Sequence, residues 1–240
     1  MQQKISPDVA DLSTKDLSRF SPQRSGGCAN EGVGGVDQRG SLMAKRKFVV
    51  GVDLDGVVAD FYRGLRPIAA EWLGVDVSQL TEDVSYGLPE WNLASMGGYD
   101  PLHRFAVTQR QLFEKLEPVT GAAASLRRLS EHQVRIRIIT HRLFVNFFHE
   151  KAASQTITWL ERYGIPYSDL CLMEDKTAVG AHLYIEDSPR NIERLRELEQ
   201  EVIIFTNSTN RGVPGLRVDT WADVERMILE RQKRYLSEDT

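Results

Sequence analysis

The sequence predicts an α/β fold: a Rossmann-like parallel sheet with helices on both faces, and a small, mostly helical cap inserted after the first strand. Three observations carry this. From residue 47 onward, short apolar runs alternate with segments of helical period, the pattern of a parallel sheet covered on both sides. Several of the runs are apolar almost throughout, as strands buried on both faces must be. Between residues 61 and 118 the alternation breaks, and aromatic residues crowd into a segment with helical ends and an irregular middle.

The first 42 residues precede this pattern. They hold glycines at 26, 27, 32, 34, 35 and 40, a single aromatic (Phe20), and opposite charges that cancel. Such a segment buries too little apolar surface to offset its ordering entropy, so a disordered tail is expected. A regulatory or targeting arm is a second reading. A third is translation from Met43, because Met-Ala-Lys-Arg-Lys leads straight into the first strand.

Residues 48–54 (FVVGVDL) form the first expected strand. Residues 134–140 (VRIRIIT) form the second, with Arg135 and Arg137 alternating against Val134, Ile136 and Ile138. Shorter strands are expected at 170–173, 183–186 and 202–205. Helices are expected over 121–133, 150–163 and 189–200, and from about 221 to the end. The expected division is a tail (1–42), a core (43–60 with 119–240) and a helical cap (61–118).

Composition excludes several function classes. Hydrophobic residues make up 41% and charged residues 27%, a globular balance. The net charge of -4 offers no basic field for a nucleic-acid polymer or an anionic membrane. No apolar run approaches the roughly 20 residues of a membrane span, and no signal-peptide core is present. Cys28 and Cys171 share no CxxC motif, which fits a reducing, cytoplasmic setting. There is no GxxxxGK[ST] phosphate loop, no GxSxG elbow and no Cys-His pattern.

What remains is a set of polar residues at strand ends. In a parallel sheet, ligands bind beyond the carboxyl ends of the strands. Asp53 and Asp55 lie at that end of the first strand, and Gly56 allows a sharp turn. Two carboxylates so close raise one another's proton affinity unless a cation intervenes. A hard divalent ion, Mg2+ above all, suits such oxygen ligands. A lone Asp-x-Asp would more simply be a turn capping the next helix. Here Thr140, Lys176 and Glu186-Asp187 follow later apolar runs, so one sheet edge gathers a nucleophile, a hydroxyl, a cation and a further carboxylate. Those are the parts that phosphoryl transfer needs.

The ordered set DLDGV, IIT, a lysine and IEDSP resembles the haloacid dehalogenase superfamily of aspartate-nucleophile phosphatases. Within it the chain is most similar to the 5'(3')-deoxyribonucleotidases of cytosolic and mitochondrial type and their bacterial relatives. The phrases DLDGVVADF, LFEKLEPVTGA, EDKTAVGAHLYIEDSP and TWADVERMIL carry the likeness from residue 48 to about 228. The resemblance implies a haloacid dehalogenase-like core and Mg2+-dependent hydrolysis of a nucleoside monophosphate through an aspartyl-phosphate. It implies Asp53 as nucleophile and Asp55 as general acid and base. It implies Mg2+ on Asp53, Asp187 and the backbone carbonyl of Asp55, with Glu186 close by. Thr140 and Lys176 would bind the phosphoryl oxygens, and Phe61 would face the nucleobase. Asp55 itself sets phosphatases apart from dehalogenases, which lack a carboxylate there.

Three positions depart from the family pattern. His141 stands where those enzymes have serine, Glu186 replaces the first of two aspartates, and Ser188 stands where a basic residue is usual. His141 has two readings, a contact to phosphate or leaving group, or an exposed loop residue. The cap aromatics also have two: Phe61, Tyr86 and Trp91 as a stacking surface, or as core, with Trp72 and Phe113 assigned to core. A phosphatase of a sugar phosphate or other metabolite is the alternative enzyme, and a nucleotide-binding regulator without turnover is the alternative outside enzymes. A homodimer is compatible with the composition.

Overall fold

The computed structural model describes residues 47–144 and 147–237. The expected tail, 1–42, and the Met43 start lie outside them. Six parallel strands form one sheet in the order β3-β2-β1-β4-β5-β6. They are β1 (Val49–Val52), β2 (Arg135–Thr140), β3 (Asp169–Leu172), β4 (Leu183–Glu186), β5 (Val202–Phe205) and β6 (Arg217–Val218). The chain builds outward from β1 on one side and then crosses back to build on the other. The strand order therefore reverses at β1 and β4, where doubly wound sheets open a crevice for ligands.

Register makes the two central strands end level. Val52 pairs with Ile138 of β2 and with Ile185 of β4, and the Asp53 amide donates to the Ile185 carbonyl at 3.1 Å. Gly51 is where β1 needs no side chain, since a Cβ would press on Tyr184 and Ile139 at under 3 Å.

Alternate strand residues feed two cores. Val50, Val52, Ile136, Ile138 and Ile185 pack with the buried stripes of α4 (Ala122–Glu131), α5 (His149–Arg162) and α7 (Trp221–Ser237). Ile139, Tyr184 and Ile204 pack on the other face with Ile192 and Leu195 of α6 (Pro189–Glu197). The expected helices at 121–133, 150–163, 189–200 and from about 221 all form, the first and third ending two or three residues early and the second shifted by one residue. No helix among the described residues is long and apolar enough to cross a membrane.

The segment after β1 leaves the sheet and returns beside itself. Ala59 bridges Pro118, the Asp60 amide donates to the Glu117 carbonyl at 2.9 Å, and the Val119 amide to the Val58 carbonyl at 2.8 Å. Between these crossings lie α1 (Phe61–Leu73), three 3-10 turns, α2 (Tyr99–Arg110) and α3 (Leu112–Lys115). Two buried indoles pin the crossing from below. Trp159 Nε1 donates to the Leu116 carbonyl at 2.7 Å, and Trp221 Nε1 to the Val57 carbonyl at 2.8 Å. The loop carrying Asp53 and Asp55 is thus fastened to the helices behind it.

Candidate active site

The reversal of strand order decides where the polar residues meet. Asp53 follows β1, Thr140 ends β2, Glu186 ends β4 with Asp187 next, and Lys176 opens a 3-10 turn beyond β3. All five are buried. Lys176, 5% exposed, reaches Asp53 Oδ1 at 2.7 Å and Glu186 Oε2 at 2.6 Å. Glu186 Oε1 accepts from the Ser188 amide at 3.1 Å and from Asn191 Nδ2 at 3.2 Å. Asp187 Oδ2 accepts from Asn207 Nδ2 at 2.7 Å, and its carbonyl from Asn210 Nδ2 at 2.9 Å. Gly56 closes the turn beneath it with φ of 87°, and a Cβ there would overlap the Asp187 carboxylate. Glycine is required twice over, by dihedral and by space.

Charge within this cluster does not balance. Ligand oxygens of Asp53, Glu186 and Asp187 lie within 4.8 Å of one another, and Lys176 is the cation that bonds two of them. With all three carboxylates ionised, one ammonium leaves two negative charges uncompensated. Burial, then the Glu186 charge, raises the Asp53 pKa to about 7 despite Lys176. Burial and the Asp53 charge push Asp187 well above the carboxylate range. Burial lowers the Lys176 pKa, but Asp53 and Glu186 together overcome it and hold the ammonium charged. A divalent cation would supply the missing charge, and an all-oxygen donor set suits a hard ion. The residues present fit such an ion.

The cluster opens into a cleft of about 200 Å³ between the sheet edge and the helical segment. Asp53, Asp55, Thr140, His141, Lys176 and Asp187 line its floor side, and Phe61, Tyr62, Tyr86, Tyr99, His103 and Phe113 line the other. Asp53, Asp55, Phe61, Thr140, His141, Lys176 and Asp187, all read from the sequence, therefore border one cleft, whereas Glu186 does not line it. His141 is half-buried there, its pKa lowered by burial with Lys176 and Arg190 adding to it and Glu174 opposing.

The aromatics divide. Phe61 lines the cleft, yet it is buried against Tyr62, edge to face at 5.5 Å, and His103. Tyr86 is 52% exposed at the rim, whereas Trp91 is buried and donates Nε1 to the Thr81 carbonyl. Trp91 thus packs inside its own segment and does not line the cleft. Phe113 is buried, and Trp72 is half-buried beside Phe105.

Two features escaped the sequence reading. Asn207 and Asn210 hold Asp187 from the end of β5, and Arg142 reaches Asp55 from two residues past Thr140. Both lie just beyond apolar runs, in the same kind of position as Thr140 and Lys176. Their position was the available signal.

The family of 5' nucleotidase, deoxy (pyrimidine), cytosolic type C proteins matches the chain over residues 47–234. The chain belongs to this family. Membership makes it a phosphoric monoester hydrolase. It is 52% identical over 190 residues to a Chlorobaculum tepidum chain provisionally named 5'(3')-deoxyribonucleotidase, covering 79% of this chain and 94% of that one. It is 29% identical to the human mitochondrial 5'(3')-deoxyribonucleotidase, covering 80% of this chain and 86% of that one. Among solved structures, a predicted phosphoglycolate phosphatase of Haemophilus somnus superposes with a TM-score of 0.53 at 13% identity, over 75% of this chain and 97% of that one. That likeness supports the haloacid dehalogenase-like fold alone.

Proposed function

We propose that the protein is a Mg2+-dependent 5'-nucleotidase that releases phosphate from deoxyribonucleoside monophosphates through an aspartyl-phosphate on Asp53. The observation that carries this reading is the Asp53-Lys176-Glu186 chain of contacts at the switch point, in a chain of this family. Residues 61–118 serve as the cap over the core formed by 43–60 and 119–240, and the setting is cytoplasmic.

A carboxylate oxygen of Asp53 attacks phosphorus, and the bond from phosphorus to the ester oxygen breaks with its electron pair going to that oxygen. Asp55 gives the departing alcohol its proton. Asp55 then takes a proton from water as the water attacks the phosphorus of the aspartyl-phosphate, releasing phosphate and restoring Asp53. Thr140 and Lys176 hold the phosphoryl oxygens, where charge accumulates in the transition state. Asp53, Asp187 and the Asp55 carbonyl hold Mg2+, which when bound neutralises the phosphate and the carboxylates facing it. Glu186 spends both oxygens on protein donors and acts as the anchor of Lys176. Phe61 and the rim tyrosines offer the base an aromatic wall, and His141 stands at the leaving-group side.

The Asp53 pKa gives the metal a pH dependence. Between the ordinary carboxylate value of 3.8 and about 7, the folded apo protein keeps a proton that the unfolded chain has lost. That carboxylate must ionise before it can ligate. Asp187, which burial and Asp53 also push well up, must ionise as well, so Mg2+ affinity, read by calorimetry, is expected to tighten by at least about tenfold per pH unit between pH 5.5 and 7. An affinity flat between pH 5.5 and 7 would show that no ligating carboxylate gives up a proton when the ion binds.

Substrate class is tested by phosphate release from a panel of 5'- and 3'-deoxyribonucleotides, ribonucleotides and sugar phosphates. The deoxyribonucleoside monophosphates are expected to have the highest kcat/KM. A sugar phosphate preferred over every nucleotide would replace the nucleotidase with a metabolite phosphatase.

A further inference from the structure

Among the described residues Arg142 is the largest fully buried charged side chain, and it has no place in the mechanism above. It is 1% exposed. Its fork meets the Asp55 carboxylate twice: Nη2 donates to Oδ1 at 2.7 Å and Nε donates to Oδ2 at 3.0 Å. Nη1 donates to Thr156 Oγ1 at 3.3 Å, and that hydroxyl donates in turn to the Ala152 carbonyl at 2.8 Å. The guanidinium carbon lies 4.3 Å from the centre of the Phe113 ring and 5.7 Å from that of Trp159. The fork is thus fixed by hydrogen bonds in its plane and by rings near its face, one from the cap segment and one from α5.

We infer that Arg142 is the positioning residue for Asp55, holding its carboxylate in the orientation from which it exchanges protons with the leaving group and the water. Asp55 sits on the turn after β1 and is only partly buried, so without a partner its side chain has several rotamers to choose from. A bidentate guanidinium allows one. Misplacing a proton donor by about 1 Å is enough to cost ~100-fold in rate. A purely structural ion pair would not need to end on the residue that moves the proton. Lysine cannot replace the arrangement, because a point ammonium has neither the planar fork nor the stacking face.

This inference rests on Asp55 acting as general acid, and leaving-group basicity separates the two claims. General acid help matters most when the departing oxygen is basic and least for para-nitrophenolate, which leaves readily as an anion. We would measure kcat/KM for para-nitrophenyl phosphate, phenyl phosphate and a pyrimidine deoxyribonucleoside 5'-monophosphate. The proteins are wild type, Arg142→Gln, Arg142→Lys, Asp55→Asn and the Arg142→Gln/Asp55→Asn double variant. Arg142→Gln is expected to lose ~30-fold to 100-fold on the nucleotide, less on phenyl phosphate, and only ~3-fold on the para-nitrophenyl ester. Arg142→Lys should show the same order with a smaller spread. The double variant should be no worse than Asp55→Asn alone, since the clamp then has nothing to position.

Equal losses on all three esters in both Arg142 variants would overturn the inference and leave Arg142 a packing residue. So would losses that multiply in the double variant. If Asp55→Asn itself shows no dependence on the leaving group, the general-acid reading fails and the role of Arg142 fails with it. Arg142→Lys keeps a cation and much of the stem, and melting curves at the assay pH establish that each variant is folded.

Discussion

Asp53→Asn is expected to lower turnover by at least ~1000-fold on every phosphomonoester while leaving the fold intact. The amide occupies nearly the same space as the carboxylate, but it is neither nucleophilic nor anionic, so it can form no aspartyl-phosphate and holds a cation poorly. Stability should not suffer. In the folded protein the Asp53 pKa stands at about 7 because burial, then Glu186, disfavour its charge. Its ionised form therefore costs folding free energy once the pH rises through that window. At pH 8 without divalent ions, the variant should melt no lower than wild type. A purified, folded Asp53→Asn protein with near-normal activity would remove Asp53 from the mechanism.

Lys176→Met should show the opposite balance, a large loss of stability together with a loss of activity. The ammonium is buried between Asp53 and Glu186 at 2.7 and 2.6 Å. Removing it strands buried carboxylates, a change that costs about 3–5 kcal/mol when one partner of a buried pair is deleted. The loss should shrink at pH 5.5, where Asp53 can take a proton and the uncompensated charge falls. Urea unfolding at pH 7.5 and 5.5 measures both. Turnover should fall ~100-fold or more even where the variant is folded, since a cation beside the phosphoryl oxygens is gone. Wild-type stability at pH 7.5 would mean that the carboxylates are already neutral in the apo protein.

The readable part of this molecule was the part governed by burial. The strands at 183–186 and 202–205 are buried along their whole length, so they appear in sequence as apolar runs, LYI closed by Glu186 and VIIF, with the boundaries the structure draws. The strand β6 is only Arg217–Val218, too short to leave a pattern. The same physics made Asp53, Thr140 and Asp187 legible, because a polar residue at or directly after the end of a buried strand stands at the ligand-binding edge. Lys176 lies deeper in the loop beyond the half-buried β3 and drew its meaning from the other three. Arg142 and Asn207 obey that rule one step further into the loop, where an arginine or asparagine is also ordinary turn chemistry. The pairing of Lys176 with Glu186 needs the fold, since nothing local says that β3 and β4 flank the same crevice from opposite sides of β1. The middle of the segment 61–118 was unreadable for a different reason. Leu88, Asn92 and Gln111 take positive φ, which breaks any period, and so sequence could not sort the exposed Tyr86 from the buried Trp91.

The most direct measurement is an acid quench of the enzyme during turnover of a phosphate-labelled deoxyribonucleotide, followed by mapping of the labelled peptide. The mechanism predicts label bound through an acyl phosphate to Asp53, in the peptide that carries DLDGVVADF, and none in Asp53→Asn. Rapid turnover with no protein-bound label at any quench time, or label on any other residue, would contradict it.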